Sequence, residues 1–325
     1  MKAFSFFSSY DIIKAIKNEK EKEKEKRRIK MENNDRIIKF LAYEGKVSIV
    51  CAKTTALVEK ARKLQDLSPV ATAAFGRLLT AASIMASTLK NPEDEMTIQV
   101  NGNGPIGKML VTANYFPKVK GYVQNPYVDL PLKNGKLDVG GAVGKDGFLN
   151  VTKDEGLKDP YVGTVPLVSG EIAEDITSYY AISQQTPSVV SLGVLVNQNG
   201  VKEAGGYLVN LMPDAQEEQI QILEENLKQV PPISKMLEEN LSLSDIAKIV
   251  TKDEAVVVVE ENILPVYECN CSKERIRTAL ISLGKEELED MVASKINIET
   301  VCQFCKQKYS FTPQELEEMI KEIEK

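Results

Sequence analysis

The sequence predicts an α+β protein: a mainly antiparallel β core domain with helices, then a helical linker, then a small C-terminal module. Three observations predict it. Residues 96–168 read as strands separated by Asn101-Gly102, Asn134-Gly135 and Asp146-Gly147, dipeptides that signal hairpins because both residue types tolerate the positive φ of tight turns. After Pro213 the pattern changes to short amphipathic helical runs. Near the C-terminus four cysteines fall into two close pairs.

In chain order, residues 1–30 differ from the rest. From Glu19 to Lys26 acid and base alternate strictly, so i,i+4 neighbours repel and only i,i+3 pairs attract. This charged extension is expected to be disordered, with the fold starting at Met31. It is too rich in Lys and Glu for a cleaved targeting peptide. Residues 47–50 read as a strand and 57–67 as a helix; 69–89 reads as a longer helix with Pro69 in its first turn. That last stretch is apolar but carries Arg77 and many Ala, Ser and Thr, which suits a buried helix and not a membrane span. A helix at 170–185 and strands at 189–196 and 206–211 complete a core domain over 31–213.

Residues 214–262 form the linker. Its helical pieces are broken by Pro231-Pro232 and by the turn before Ile246, and Ile220, Leu223 and Leu227 give the first piece one apolar face. Pieces this short depend on docking for stability, so the linker is expected to be metastable, although an ordinary helical layer of the core fits the same pattern. Residues 263–325 form the last unit. Its final helix opens with Thr312-Pro313-Gln314-Glu315, a capping box with Pro at the first helical position, and Leu316, Met319, Ile320 and Ile323 follow on one face.

Composition excludes several functions. The chain has no histidine, so neither a Ser-His-Asp nor a Cys-His catalytic pair exists, and a metal site has no imidazole to use. No acid–base constellation stands out, and an enzyme is not expected. The net charge of −6 disfavours nucleic acid and anionic membranes as partners. Five cysteines in a chain of 325 residues do not make a secreted disulfide scaffold, which points to a reducing, cytoplasmic setting. Gly102-Asn103-Gly104-Pro105-Ile106-Gly107-Lys108 imitates a phosphate loop. However, Met109 stands where a Ser or Thr would hold magnesium, and a strand follows instead of a helix, so no nucleotide site is read there. Cys51, inside a strand-like run, reads as a small buried hydrophobe.

Cys269-Asn270-Cys271 and Cys302-Gln303-Phe304-Cys305 are separated by thirty residues. Four thiolates brought together when the intervening chain folds back satisfy the tetrahedral demand of zinc, and with four sulfur ligands the site is closed and structural. The spacing matches neither ferredoxin pattern, and the CxxC does not open a helix as a thioredoxin dithiol does. A unit of 63 residues has a small core and gains much from a metal. A disulfide sulfur is no longer a thiolate ligand, so oxidation would expel the ion. On the residues alone, a static zinc staple and a redox switch both stay open.

With these motifs in hand, the chain resembles the heat-shock protein 33 family of redox-regulated molecular chaperones, from about Asn33 to the C-terminus. The resemblance rests on Phe75-Gly76-Arg77-Leu78-Leu79-Thr80-Ala81-Ala82, on Leu167-Val168-Ser169-Gly170-Glu171-Ile172-Ala173-Glu174-Asp175, on Gly205-Gly206-Tyr207-Leu208-Val209, and above all on the two cysteine motifs with Tyr309-Ser310-Phe311. It implies an ATP-independent holdase active under oxidative stress. One zinc ion per chain is bound by Cys269, Cys271, Cys302 and Cys305 in the reduced, inactive state. Oxidation yields the disulfides Cys269–Cys271 and Cys302–Cys305, releases zinc, unfolds the linker and exposes a surface for unfolding client proteins. It further implies a homodimer when oxidised. One departure is Ser183-Gln184-Gln185, where the family usually reads Ser-Glu-Gln.

Overall fold

Two strands rich in β-branched and aromatic residues open the fold. β1 (Arg36–Ala42) and β2 (Val47–Lys53) pair antiparallel from Arg36↔Lys53 to Ala42↔Val47. The computed structural model describes residues 34–323, so the charged extension 1–30 lies outside the described residues. α1 (Thr55–Gln65) follows β2 and ends at Asp66 in the left-handed conformation. Its free N-terminal amides are satisfied from a distance: the Asp35 carboxylate accepts from the N–H of Ala56 at 3.0 Å and of Leu57 at 2.7 Å.

α2 (Pro69–Ala86) buries 16 of its 18 residues. It is apolar all round because it lies between two sheets, which accounts for a run long and apolar enough to cross a bilayer. Its buried hydroxyls stay satisfied by bonding back one turn: Thr72 to Ser68 O, Thr80 to Gly76 O and Ser83 to Leu79 O, each at 2.8 Å.

The strand-rich stretch supplies β3 (Glu95–Asn101), β4 (Met109–Asn114), β5 (Lys118–Val123), β6 (Phe148–Asp154) and β7 (Tyr161–Pro166), with α3 (Val139–Val143) between β5 and β6. Asn134 and Gly135 both have positive φ, 50° and 74°, beneath the Lys133↔Lys136 bridge, as the hairpin reading requires. Asn101-Gly102 opens the longer β3–β4 loop. Asp146-Gly147 corrects the expectation, because it leads from α3 into β6 and joins no hairpin. The phosphate-loop imitation lies in the β3–β4 loop. Gly102 and Gly104 run against the backbone of residues 142–144 so closely that a Cβ at either would collide with it.

α4 (Ala173–Ile182), β8 (Ser188–Asn197) and β9 (Gly200–Leu211) close the domain. Gln184, the departure from the family pattern, accepts from the Lys153 ammonium at 3.0 Å, and burial holds that amine below its ordinary pKa. The linker folds as α5 (Glu217–Leu227), α6 (Ile233–Glu238) and α7 (Leu243–Thr251). These helices cover one face of a sheet, where Ile233, Met236, Ile246 and Val250 pack with Phe40, Ile49 and Tyr207. Cys51 is fully buried in that layer, and burial pushes its thiol pKa far up.

β1 itself was not foreseen, nor was any strand after β9, beginning with β10 (Val257–Ile263) at the end of the linker. A short β11 (Val266–Tyr267) follows. The sheet orders are β10-β1-β2-β9-β8 and β11-β5-β4-β3-β6-β7. All pairings are antiparallel except β11 on β5. Thus the segment 257–267 closes one edge of each sheet, crossing between them through Leu264 and Pro265 alone.

Candidate metal centre

The C-terminal module contains α8 (Lys273–Ile281), α9 (Lys285–Ala293), the antiparallel hairpin β12 (Ile298–Val301) and β13 (Lys308–Phe311), and α10 (Pro313–Ile323). The expected capping box is formed: the Glu315 N–H donates to Thr312 Oγ1 at 3.3 Å, and the Thr312 N–H to Glu315 Oε2 at 2.9 Å. Leu316 and Met319 are buried from that helix, whereas Ile323 stays exposed.

Cys302 and Cys305 sit on the turn of the β12–β13 hairpin. It is closed by Lys306 N–H to Cys302 O at 2.8 Å and Cys302 N–H to Gln307 O at 2.9 Å. Cys269 and Cys271 lie on the loop between β11 and α8, whose N-terminus is capped by Ser272. The four sulfurs lie within 4.8 Å of one another. The Cys269–Cys302 sulfurs are 3.8 Å apart and the Cys271–Cys305 sulfurs 3.3 Å. A tetrahedron with metal–sulfur bonds of about 2.3 Å has edges of about 3.8 Å, so the donor set fits one such ion with small adjustments.

The electrostatics of the cluster are uneven. Burial pushes the Cys271 thiol up, but the Tyr309 hydroxyl, 3.0 Å away and donating, together with the neighbouring sulfurs brings it down to about 7. Burial, reinforced by the other sulfurs, pushes Cys305 up to about 12, and burial also raises Cys269. Tyr309 is itself pushed up to about 12 by its bond to Cys271. The cluster therefore favours a thiolate at Cys271 first, and a cation at its centre would draw out the others.

The cysteine turn also rests on the core. Gln65 Nε2, at the end of α1, donates to the carbonyls of Gln303 and Phe304, both at 2.8 Å. The Tyr267 hydroxyl, in the main core cluster, lies 2.6 Å from Phe304 O and 2.7 Å from Gly121 O. The Phe304 ring meets Tyr122 edge-on, and the Lys120 ammonium lies 5.5 Å from its centre. Sequence reasoning brought the four cysteines together but missed Gln65 and Tyr267. Tyr309 entered the sequence reading only as part of the family resemblance, with no role attached; Gln65 looked like any polar residue near a helix end.

A cysteine-rich module seated on an α+β core by the turn that carries two of its four clustered thiols defines a distinct class of protein. Residues 35–312 match the family model described as Hsp33 protein. The chain is 47% identical over 294 residues to a 33 kDa chaperonin of Clostridioides difficile, covering 89% of this chain and 99% of that one. It is 45% identical over 288 residues to a 33 kDa chaperonin of Clostridium beijerinckii, covering 88% and 98%. The crystal structure of a Thermotoga maritima 33 kDa chaperonin, a heat shock protein 33 homolog, superposes with a TM-score of 0.84 at 38% identity, covering 90% of this chain and all of that one. The chain belongs to the Hsp33 family.

Proposed function

We propose that this chain is an ATP-independent holdase governed by the oxidation state of Cys269, Cys271, Cys302 and Cys305. The observation that carries the reading is the convergence of all four thiols at the place where the C-terminal module meets the core. The reading treats 31–213 as the chaperone core, 214–262 as a metastable linker and 263–325 as the redox-switch domain. When bound by the four thiolates, one zinc ion would supply a closed structural centre tying the loop after β11 to the β12–β13 hairpin.

The rest is done by the chain. In the reduced state Gln65 and Tyr267 hold the Cys302–Cys305 turn against β5 and keep the segment 257–267 in place. On oxidation by hydrogen peroxide, each pair of thiolates gives up two electrons, and solvent supplies two protons. One sulfur–sulfur bond forms, the peroxide oxygen–oxygen bond breaks, and two waters leave per pair. The proposed pairs are Cys269–Cys271 and Cys302–Cys305, following the family resemblance, because four mutually close sulfurs do not select a pairing by proximity. Disulfide sulfurs cannot serve as thiolate ligands, so the module loses what ties its parts together. The linker helices then leave the sheet face around Phe40, Ile49 and Tyr207, which becomes available to unfolding client proteins. Homodimer formation in the oxidised state and a cytoplasmic location complete the proposal. No nucleotide, nucleic acid or membrane takes part, and no catalytic step is assigned.

The test treats the reduced, zinc-loaded full chain with peroxide at mildly raised temperature. One zinc released per chain, loss of four free thiols with peptide mapping of the pairs, and suppression of the aggregation of a denatured client are expected. Zinc release without client protection would refute the chaperone switch.

A further inference from the structure

We propose that the outer edge of β1 is a docking edge for extended client segments, and that β10 occupies it in the reduced chain as a built-in stand-in. This rests on the reading that oxidation frees the C-terminal module, and it names where a client then binds. Three features carry it.

The first is topology. β10 pairs antiparallel along β1, with Ile37↔Ile263, Lys39↔Glu260, Phe40↔Val258 and Leu41↔Val257 opposite one another and the register shifting twice. Half of the main-chain donors and acceptors of β1 face that edge, and removing β10 leaves them bare. The second is how weakly β10 is held. Val257, Val258 and Val259 are 61%, 43% and 59% exposed, so their apolar surface gains little from burial. Side-chain attachment includes the Lys39–Glu260 ion pair at 2.8 Å, which is solvent-accessible and contributes little. The third is continuity with the anchor. Only Leu264 and Pro265 separate β10 from β11, and β11 ends at Tyr267, the residue bonded to the cysteine turn. Release of that turn removes the Tyr267–Phe304 bond and leaves β11 with its two-residue pairing on β5 and the Tyr267–Gly121 bond, so any loosening of β11 passes directly to the near end of β10.

The occupant follows from the chemistry of the edge. Strand addition is made of main-chain hydrogen bonds, which any sequence supplies, whereas side-chain pockets select one. An unfolded polypeptide is extended and offers unpaired N–H and C=O groups; a folded protein does not. The side chains of Ile38 and Phe40 on the same strand lie in the layer that the linker helices cover, so departure of those helices leaves apolar side chains next to the edge for an added strand to meet. A run of β-branched residues flanked by acid, as in β10 itself, is the kind of segment that fits.

Hydrogen exchange on the full chain tests this, with a urea-unfolded single-domain protein as client. Oxidation alone is expected to remove protection from 257–263 and to speed exchange in 36–42. Adding client is expected to slow 36–42 again by about tenfold or more, leaving 257–263 unprotected. A peptide with the sequence of residues 255–263 is expected to displace the client, and the same peptide N-methylated at alternate residues is expected not to. Client held while 36–42 stays fast, or equal competition by the methylated peptide, overturns the proposal while sparing the holdase reading. Protection of 36–42 that returns without client as protein concentration rises assigns the edge to a second copy and overturns it too. Segment 257–263 staying protected after oxidation defeats release itself, and both readings with it.

Discussion

In the core, Phe75, Leu78 and Leu79 lose all contact with water between two sheets, within one continuous cluster that reaches from Ile37 to Tyr267. Among the described residues of the C-terminal module, the buried apolar cluster consists of Leu280, Leu288, Phe311, Leu316 and Met319. Five such residues are few for a unit of this size, and its surface is tied mainly by exposed ion pairs such as Arg277–Glu322. The core is held by burial, whereas the module has a small apolar cluster and, under the proposed function, depends on a metal bound by its four thiolates. The difference teaches that one chain can carry two unequal cores, and under the proposed function the smaller one is where oxidants and metal supply would act while the larger stays folded.

The largest expected effect removes the sulfur cluster. Cys302→Ser, or a chelator on the wild type, is expected to strip protection from the amides of 273–323 while those of α2 keep theirs, because zinc binding of about 10–16 kcal/mol is mostly folding free energy in small modules. Equal loss in both regions, seen by hydrogen exchange, would break the comparison. Next, Phe75→Ala is expected to cost the core about 3–5 kcal/mol by denaturant titration, with zinc content unchanged.

A smaller effect separates the regions by pH. Burial, opposed by the amides of Ala56 and Leu57 and by Lys53, raises Asp35 from 3.8 to about 6. The folded chain therefore binds this proton more tightly than the unfolded chain. Its contribution to stability is full below about pH 4 and lost as pH rises through about 6. Relative to Asp35→Asn, the wild-type core is expected to lose about 3 kcal/mol across that window and then level off. A difference that stays flat between pH 4 and 6 would sink the assignment. The smallest effect is Gln184→Glu, which gives half-buried Lys153 a carboxylate partner and is expected to stabilise the core by about 1 kcal/mol, read as a rise in Tm.

The fold class and the four cysteines were legible in the sequence because both rest on local signals: Asn-Gly turns, the Pro69 and Thr312 helix starts, and paired thiols. The helix 69–89 was placed within three residues of its observed end at Ala86. What stayed hidden depends on partners distant in sequence. β1 becomes a central strand only when β10 arrives from 221 residues away, as the Lys39–Glu260 pair records. Val257–Val259 look like any short apolar run until a neighbour fixes them as a strand, so helices alone were expected there. Asp146-Gly147 carries a turn dipeptide, yet α3 before it and the backbone of Asn101 beside it leave no hairpin to make. Gln65 carries no local mark at all, since its amide acquires a role only from carbonyls 238 and 239 positions further on.

The crossing at Leu264 and Pro265 has a consequence for the birth of the molecule. Translation delivers β9 up to Leu211 before it reaches Val257, and at ribosomal speeds those intervening residues take about 2–9 s to emerge. During that interval the nascent chain owns both sheets without their closing strands. Each newly made copy thus presents the uncovered edges of β1 and β5 until its own later segment arrives to cap them.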